Sequence, residues 1–248
     1  MLTPVFDRIP SKPDPIRREV YNVADAEIAG VPVAALEPRP YTWWLPFHLD
    51  QADEGACVPH GVIHEALARP KPVDFRDKAL PDWAVWANRL QGMVGATNQD
   101  IAQALAKKDG YDWCRNNDEW PGMNYSGTSA AAGARMAKVL NLWPEYRWAT
   151  NVKDFCTAFS RRGPGCLAID WWTGMMRPDS DGLIHPTGRV EGGHQILAMS
   201  YSKRRFRFPA IGLWQSWGDM PIWWIYAAEL EEVVASNGEM VIPMVRAL

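Results

Sequence analysis

The stretch that most constrains this chain runs from Asp50 to Val58, and it holds a cysteine at the beginning of a predicted helix. Arg69-Pro70 supplies a basic last turn and a stop for that helix. The apolar residues between these points recur at helical spacing, at Val58, Val62, Ala66 and Leu67. A thiol in a first helical turn faces unpaired N–H groups and the positive end of the helix dipole, which favour the reactive thiolate. Cys57 is therefore a candidate nucleophile, and the alternative is a small buried apolar residue.

Two stretches far downstream supply a candidate base and its neighbours. Gly192-Gly193-His194 precedes an apolar run that is typical of a strand, and Trp214 to Gly218 follows the next predicted strand. Attack by a cysteine requires a base within hydrogen-bonding reach and a group that orients the base. A lone histidine is more often packed in a strand, but the Gly-Gly-His context favours His194 as the base.

Together these motifs resemble the papain-like cysteine peptidases, in which Gln, Cys, His and Asn follow in that order. Gln51 lies six positions before Cys57, as in that family, and Ser216-Trp217-Gly218 matches the end of its Asn-Ser-Trp-Gly motif. The resemblance covers residues 41 to 230. The departure is Gln215, which stands where the family has Asn.

The resemblance implies a role for each of these residues. Cys57 would attack a peptide carbonyl and form a thioester, with His194 as base and then acid. Gln51 would donate its side-chain N–H to the oxyanion beside the backbone N–H of Cys57, a contribution typically worth about 10²- to 10³-fold in rate. Trp217 would shield the histidine's hydrogen bond from water, beside Gly193 in the substrate groove. The alternative for Trp217 is simple core burial.

Gln215 leaves two functions open. Its side-chain oxygen can accept from an imidazole N–H as an Asn oxygen does, although the side chain is one methylene longer. Losing the orienting member of a triad usually costs less than losing the nucleophile, so reduced activity is one expectation. The other is a catalytically degenerate papain-like module with a binding or structural role, including virion assembly. A lesser alternative is a cell-wall peptide amidase, although those NlpC/P60 and CHAP enzymes lack these Gln and Ser-Trp-Gly motifs.

Predicted helices dominate the first half of the chain and predicted strands the second, which indicates an α+β fold. We expect a papain-like fold of two lobes, helical over residues 41–163 and antiparallel β over 164–248. Beyond the helix at Cys57, the predicted helices are Pro81 to Met93, one capped by Asn98 and ended by Gly110, Thr128 to Leu140, one capped by Asn151 and ended by Gly163, and Ala227 to Ala235. The predicted strands are Cys166 to Trp172, His194 to Tyr201, Arg205 to Trp214, Ile222 to Tyr226 and Met240 to Val245, and Tyr111 to Gly127 is predicted to be a loop.

Residues 1–40 are rich in proline, which favours an extended arm on the surface. The arm is much shorter than the inhibitory propeptides of many papain-like enzymes. Such compactness is similar to members encoded by bacteria and their phages, so a virion-associated role and contact with a larger assembly through residues 1–40 are further hypotheses.

Charge and composition limit the classes of partner that we expect for this chain. A net charge of −3 and a pI near 6.0 give no electrostatic reason to expect nucleic acid or an anionic membrane. No stretch has the length of a signal peptide core or a membrane span, and 4 cysteines at irregular spacing do not suggest a disulfide framework. We expect a reducing, cytoplasmic location, a peptide or protein substrate, and no cofactor.

His60 and His64 follow Cys57 at a spacing that zinc ligands also use on helices. No fourth ligand is evident, and one of the three residues would be the nucleophile. We therefore predict no metal site.

Overall fold

A computed structural model describes residues 8–11, 22–77, 93, 95–120, 126–217 and 222–244. Within this part of the chain, a seven-stranded antiparallel sheet lies between two helical layers, which confirms the predicted α+β fold class. The strands are β1 (Arg8–Ile9), β2 (Glu27–Ile28), β3 (Val31–Pro32), β4 (Tyr41–Thr42), β5 (Thr128–Ser129), β6 (Tyr146–Ala149), β7 (Gly165–Trp172), β8 (Val190–Ser202), β9 (Ala210–Trp214), β10 (Trp223–Tyr226) and β11 (Glu239–Pro243). The helices are α1 (Cys57–Ala68), α2 (Asn98–Ala104), α3 (Gly110–Asn116), α4 (Ala130–Val139), α5 (Val152–Arg162) and α6 (Ala227–Asn237).

Helix α1 is the centre of the first helical layer, and every one of its residues is buried. It begins at Cys57 as predicted. Its C-cap, Arg69, is extended at φ −68° and ψ 166°, because the residue before a proline avoids the helical region. Helix α4 approaches α1 closely at Gly133, where a Cβ atom would lie 2.5 Å from Val58 Cγ1.

The large sheet has the order β10-β9-β8-β7-β11-β6, and β4 pairs with the end of β8. Alternation along β7 divides its side chains between two cores. Cys166 and Ala168 face the core that contains α1, whereas Leu167 and Ile169 face the core that contains α5. The sheet is therefore covered on both faces.

Helix α5 follows its sequence signals closely. The Asn151 side chain accepts a hydrogen bond from the Asp154 N–H at the N-terminus, and Gly163, at φ 153°, follows the last residue. Phe155 and Phe159 are fully buried in the second core. Helix α5 packs in the same core as strand residues beyond residue 163. The predicted boundary between the two lobes at that residue stays a prediction.

The prediction for α2 was wrong at both ends. Thr97, not Asn98, is the N-cap, and it forms a reciprocal capping box with Asp100. Gly110 does not end the helix, because a π-helical segment, Leu105–Asp109, leads directly into α3. A Cβ atom on Gly110 would lie 3.1 Å from Pro59 Cβ, so this glycine allows close packing against α1 rather than termination. The predicted loop at Tyr111 is accordingly helical as far as Asn116.

Other boundaries also differ. Helix α4 begins at Ala130, because Ser129 caps it and Thr128 and Ser129 pair with β1. Strand β8 begins at Val190, four residues before His194, and β9 begins at Ala210 rather than Arg205. Strands β1 to β6 were not predicted. The predicted helix from Pro81 to Met93 lies almost entirely outside the described residues.

Residues 22–40 of the predicted arm contribute to the second core. Val23 and Val33 lie on short 3₁₀ turns and are fully buried. A surface arm as the role of residues 1–40 stays a prediction. In the described part of the chain, none of the helices has the length and apolar character needed to cross a lipid bilayer.

Candidate active site

Cys57 lies at the junction between the loop 50–56 and α1, and its side chain is buried. The beginning of the loop is held by residues far along the chain. Gln103 accepts a hydrogen bond from the Asp50 N–H through Oε1 and donates to the Asp50 carbonyl through Nε2, each at 2.8 Å. The Gln51 N–H donates to the Ser216 carbonyl at 2.8 Å. These bonds fix the position of the cysteine relative to the strand-rich half.

The Gln51 side chain has a defined orientation. The Ser216 hydroxyl donates to Gln51 Oε1 at 2.5 Å, and Gln51 Nε2 donates to the Glu54 carbonyl at 2.8 Å. An amide nitrogen carries two hydrogens, so Nε2 retains a second N–H beyond the one that Glu54 accepts. Sequence analysis did not predict this role for Ser216, although the residue belongs to the Ser-Trp-Gly motif.

His194 is fully buried among aromatic rings on β8. Its imidazole stacks on Trp217 with ring centroids 4.0 Å apart and planes inclined by 16°, and the edge of Trp171 approaches at 5.3 Å. Burial lowers the pKa of His194 to about 3, and the Gln215 side chain acts in the opposite direction. The imidazole is therefore neutral near pH 7, the form that accepts a proton.

Gln215 is also fully buried, and it follows directly after β9. Its side chain raises the pKa of the imidazole, which is the effect of an acceptor oxygen close to a ring N–H. The structure thus brings Gln215, His194 and Trp217 together.

A second contact joins α1 to β8 at the level of these residues. Gln195 Nε2 donates to the Val58 carbonyl at 3.0 Å, so the residue after His194 is bonded to the residue after Cys57. Gly61 makes room for it, since a Cβ atom there would lie 2.8 Å from Gln195 Nε2. Gln195 therefore links β8 to α1, a contact that the sequence did not predict.

Gly193 lies against strand β1. The position that its Cβ atom would occupy is 2.1 Å from the Arg8 carbonyl oxygen. A side chain at residue 193 is incompatible with this approach, so the glycine before the candidate base is required here by its neighbour.

The histidine side chains near Cys57 are hydrogen-bonded to other residues of the protein. His64 Nε2 accepts from the Leu49 N–H at 2.9 Å, and His48 Nδ1 accepts from Trp214 Nε1 at 3.0 Å. His60 Nδ1 lies 2.7 Å from the Ala56 carbonyl oxygen and donates to it, because a carbonyl oxygen can only accept. His60 Nε2 then carries no hydrogen and accepts from Gln103 Nε2 at 3.2 Å. Among the described residues, no group of three His, Cys, Asp or Glu side chains is arranged to hold a metal ion.

Burial acts strongly on the ionisation of this cluster. It lowers the pKa of His60 to about 4 and the pKa of His64 well below its ordinary value. Cys114, Cys156 and Cys166 are free thiols whose pKa values are raised by burial. These three are poor nucleophiles.

Comparison with solved structures supports a papain-like fold. The chain is similar to xylellain, a cysteine protease from Xylella fastidiosa, with a TM-score of 0.54 and 18% sequence identity over 97% of this chain and 96% of that one. It is also similar to procathepsin L 3 of the Tenebrio molitor larval midgut, with a TM-score of 0.53 and 10% identity over 86% of this chain and 72% of that one. No family model and no protein of curated function matches the sequence. At these identities the likeness establishes the fold class, which is that of papain-like cysteine proteases.

Proposed function

We propose that this protein is a cysteine peptidase that hydrolyses peptide bonds through a thioester on Cys57. The observation that carries the proposal is the hydrogen bond from Ser216 to Gln51 Oε1. It holds the amide so that Nε2 points to the Glu54 carbonyl in the loop that leads to Cys57, and the second N–H of Nε2 is the proposed oxyanion donor.

In the proposed reaction, the Cys57 thiol proton passes to His194 and the thiolate attacks the peptide carbonyl carbon. The N–H groups of Gln51 Nε2 and the Cys57 backbone stabilise the oxyanion. The tetrahedral intermediate then expels the amine, which takes the proton from His194, and a thioester remains. Water attacks the thioester with His194 as base, which releases the carboxylic product and the thiol.

Gln215 and Trp217 support the histidine in this scheme. Gln215 accepts the hydrogen bond that stabilises the imidazolium during the first step, and the stacked Trp217 excludes water from that bond. Because Gln215 interacts with the imidazole in place of the family's Asn, we propose an active enzyme rather than a degenerate module.

The test is the pH dependence of Cys57 alkylation by iodoacetamide, in the wild type and in His194→Ala. Cys114, Cys156 and Cys166, mapped in the same digest, are internal controls because burial raises their pKa values. We expect Cys57 to react faster than these controls at pH 7, because the neutral imidazole can accept its proton, and to lose that advantage in His194→Ala. An ordinary thiol profile near pH 8.5, unchanged by the substitution, would support the binding module instead.

A further inference from the structure

Arg8 places a buried guanidinium group in an acidic pocket of the strand-rich half. Its side chain is fully buried, and Nη2 donates to Glu239 Oε2 at 2.7 Å and to the Asn237 carbonyl at 2.6 Å. Nη1 lies 3.7 Å from Asp170 Oδ1. Two carboxylates and a carbonyl oxygen therefore converge on one cation.

This pocket adjoins the candidate active site. Asp170 lies on β7 directly opposite Gly193 of β8, the residue before His194. Glu239 begins β11, the next strand beyond β7. The pocket therefore lies one strand from the candidate base.

The backbone of β1 crosses between the two halves of the molecule. Arg8 and Ile9 pair in parallel with Thr128 and Ser129, which precede α4 in the helical half. On the other side, the Arg8 carbonyl lies against Gly193. An extended segment that pairs along one wall and places a side chain in a pocket binds as a peptide ligand does.

We propose that this pocket is a substrate subsite for an arginine side chain, and that Arg8 occupies it in the structure as a competitor of substrate. The inference rests on the proposed peptidase function. Arginine fits because its always charged guanidinium donates through Nη2 to Glu239 and to the Asn237 carbonyl at the same time, while Nη1 lies beside Asp170. A neutral side chain in the same place would leave the buried Glu239 carboxylate without a counter-charge, which gives strong discrimination.

Glu239 also holds the segment itself. Its Oε2 accepts from the Ser11 N–H at 3.1 Å, and Ser11 Oγ accepts from the Ala131 N–H at 3.1 Å. Residues 8–11 are thus bound through contacts to side chains and backbone that a peptide substrate could make in their place. A purely structural ion pair makes the opposite prediction, since added peptides would then neither enter the pocket nor respond to its charge.

The first experiment measures labelling of Cys57 by peptidyl acyloxymethyl ketones in the full chain. Matched reagents carry arginine, citrulline or leucine at each of the first three positions from the electrophile, and citrulline is the neutral isostere. We expect faster labelling in Arg8→Ala than in the wild type, and at one position about tenfold faster labelling with arginine than with citrulline, equivalent to about 1.4 kcal/mol. Adding Glu239→Gln to Arg8→Ala should abolish that preference. Labelling of Cys57 with equal rates for arginine and citrulline at all three positions would refute the subsite.

The second experiment measures binding without chemistry, so that the subsite and the peptidase can fail separately. Fluorescein-labelled peptides copying residues 5–11, with arginine or citrulline at the position of Arg8, are titrated into the Cys57→Ser/Arg8→Ala protein, and polarisation is recorded. Binding at least about fivefold tighter for arginine, weakening with added salt, supports the subsite even if Cys57 proves unreactive. Equal affinity, or binding of neither peptide, overturns it. If Arg8→Ala does not fold, Arg8→Gln keeps the stem of the side chain and a donor for Glu239 and replaces it in both experiments.

Discussion

Acid should destabilise this protein well above the pH at which most carboxylates titrate, because its buried histidines are held neutral. The pKa of His60 is lowered to about 4 and that of His194 to about 3, against 6.5 when exposed. The unfolded chain therefore binds protons that the folded chain does not. Stability is fully present above pH 6.5 and is lost as the pH falls towards the folded pKa values.

The magnitude follows from linkage. At pH 5, each of these two histidines should remove about 2 kcal/mol from the free energy of unfolding, relative to pH 8. His64 adds to the loss, since its pKa is also lowered, and Glu65 opposes it, since burial raises its pKa. A combined loss of about 4 kcal/mol is a large part of the 5–15 kcal/mol typical of a domain.

The assay is urea unfolding followed by tryptophan fluorescence at half-unit steps from pH 8 to pH 5. His60→Gln should lower the number of protons taken up on unfolding by about one near pH 5. His185→Gln is the matched control, because His185 is partly exposed and paired with Glu229. An unfolding free energy that stays constant between pH 8 and pH 5, or a slope that His185→Gln lowers as much as His60→Gln does, would refute buried neutral histidines.

Three further substitutions test the site and its packing. Ser216→Ala should lower the alkylation rate of Cys57 by peptidyl electrophiles by at least about tenfold, because Gln51 Oε1 loses its donor and the amide can turn. Ser202→Ala is the control, and an unchanged rate in Ser216→Ala would show that the orientation of Gln51 has no part in the mechanism. Gln215→Ala should lower peptide hydrolysis more than Gln215→Asn, and equal effects would contradict an orienting side-chain carbonyl. Gly133→Ala should lower the free energy of unfolding in urea by about 1–3 kcal/mol, because its Cβ would meet Val58. Lys138→Ala, at an exposed position of the same helix, should leave it unchanged. A loss below about 0.5 kcal/mol in Gly133→Ala would contradict the close approach.

Local signals predicted the elements that are determined by their own residues. The beginning of α1 at Cys57 and the capping of α5 by Asn151 follow from helix periodicity and cap chemistry, and the structure has both. Gly110 was misjudged because a glycine can end a helix or allow a close contact, and only the fold brings Pro59 beside it. Strand β6 was missed because its pairing partner, β11, lies about ninety residues away along the chain.

In the candidate site, the residue types can be predicted from the sequence but the contacts between them cannot. The residue types at 51, 57, 194 and 215 are visible in the sequence because the spacing of motifs carries them. The contacts that orient them are not visible, because Ser216 and Gln195 act across more than a hundred residues of chain on Gln51 and Val58. A sequence motif therefore specifies which groups are available for catalysis, while long-range hydrogen bonds specify which atom of each group faces the reaction.

The N-terminal segment connects the Arg8 pocket with the candidate active site. In the structure Cys57, His194, Gln51 and Gln215 are all fully buried, and Arg8 to Ser11 lies against the strand that carries the histidine. Burial in this state keeps the imidazole neutral, which disfavours a thiolate–imidazolium pair. If residues 8–11 cover the site, as the proposed subsite implies, their displacement by an arginine-containing peptide would admit water and substrate together, raise the pKa of His194 and favour the ion pair. Substrate entry and activation of the nucleophile would then be one event, so substitutions in the Arg8 pocket should shift the pH profile of Cys57 alkylation without touching the catalytic residues.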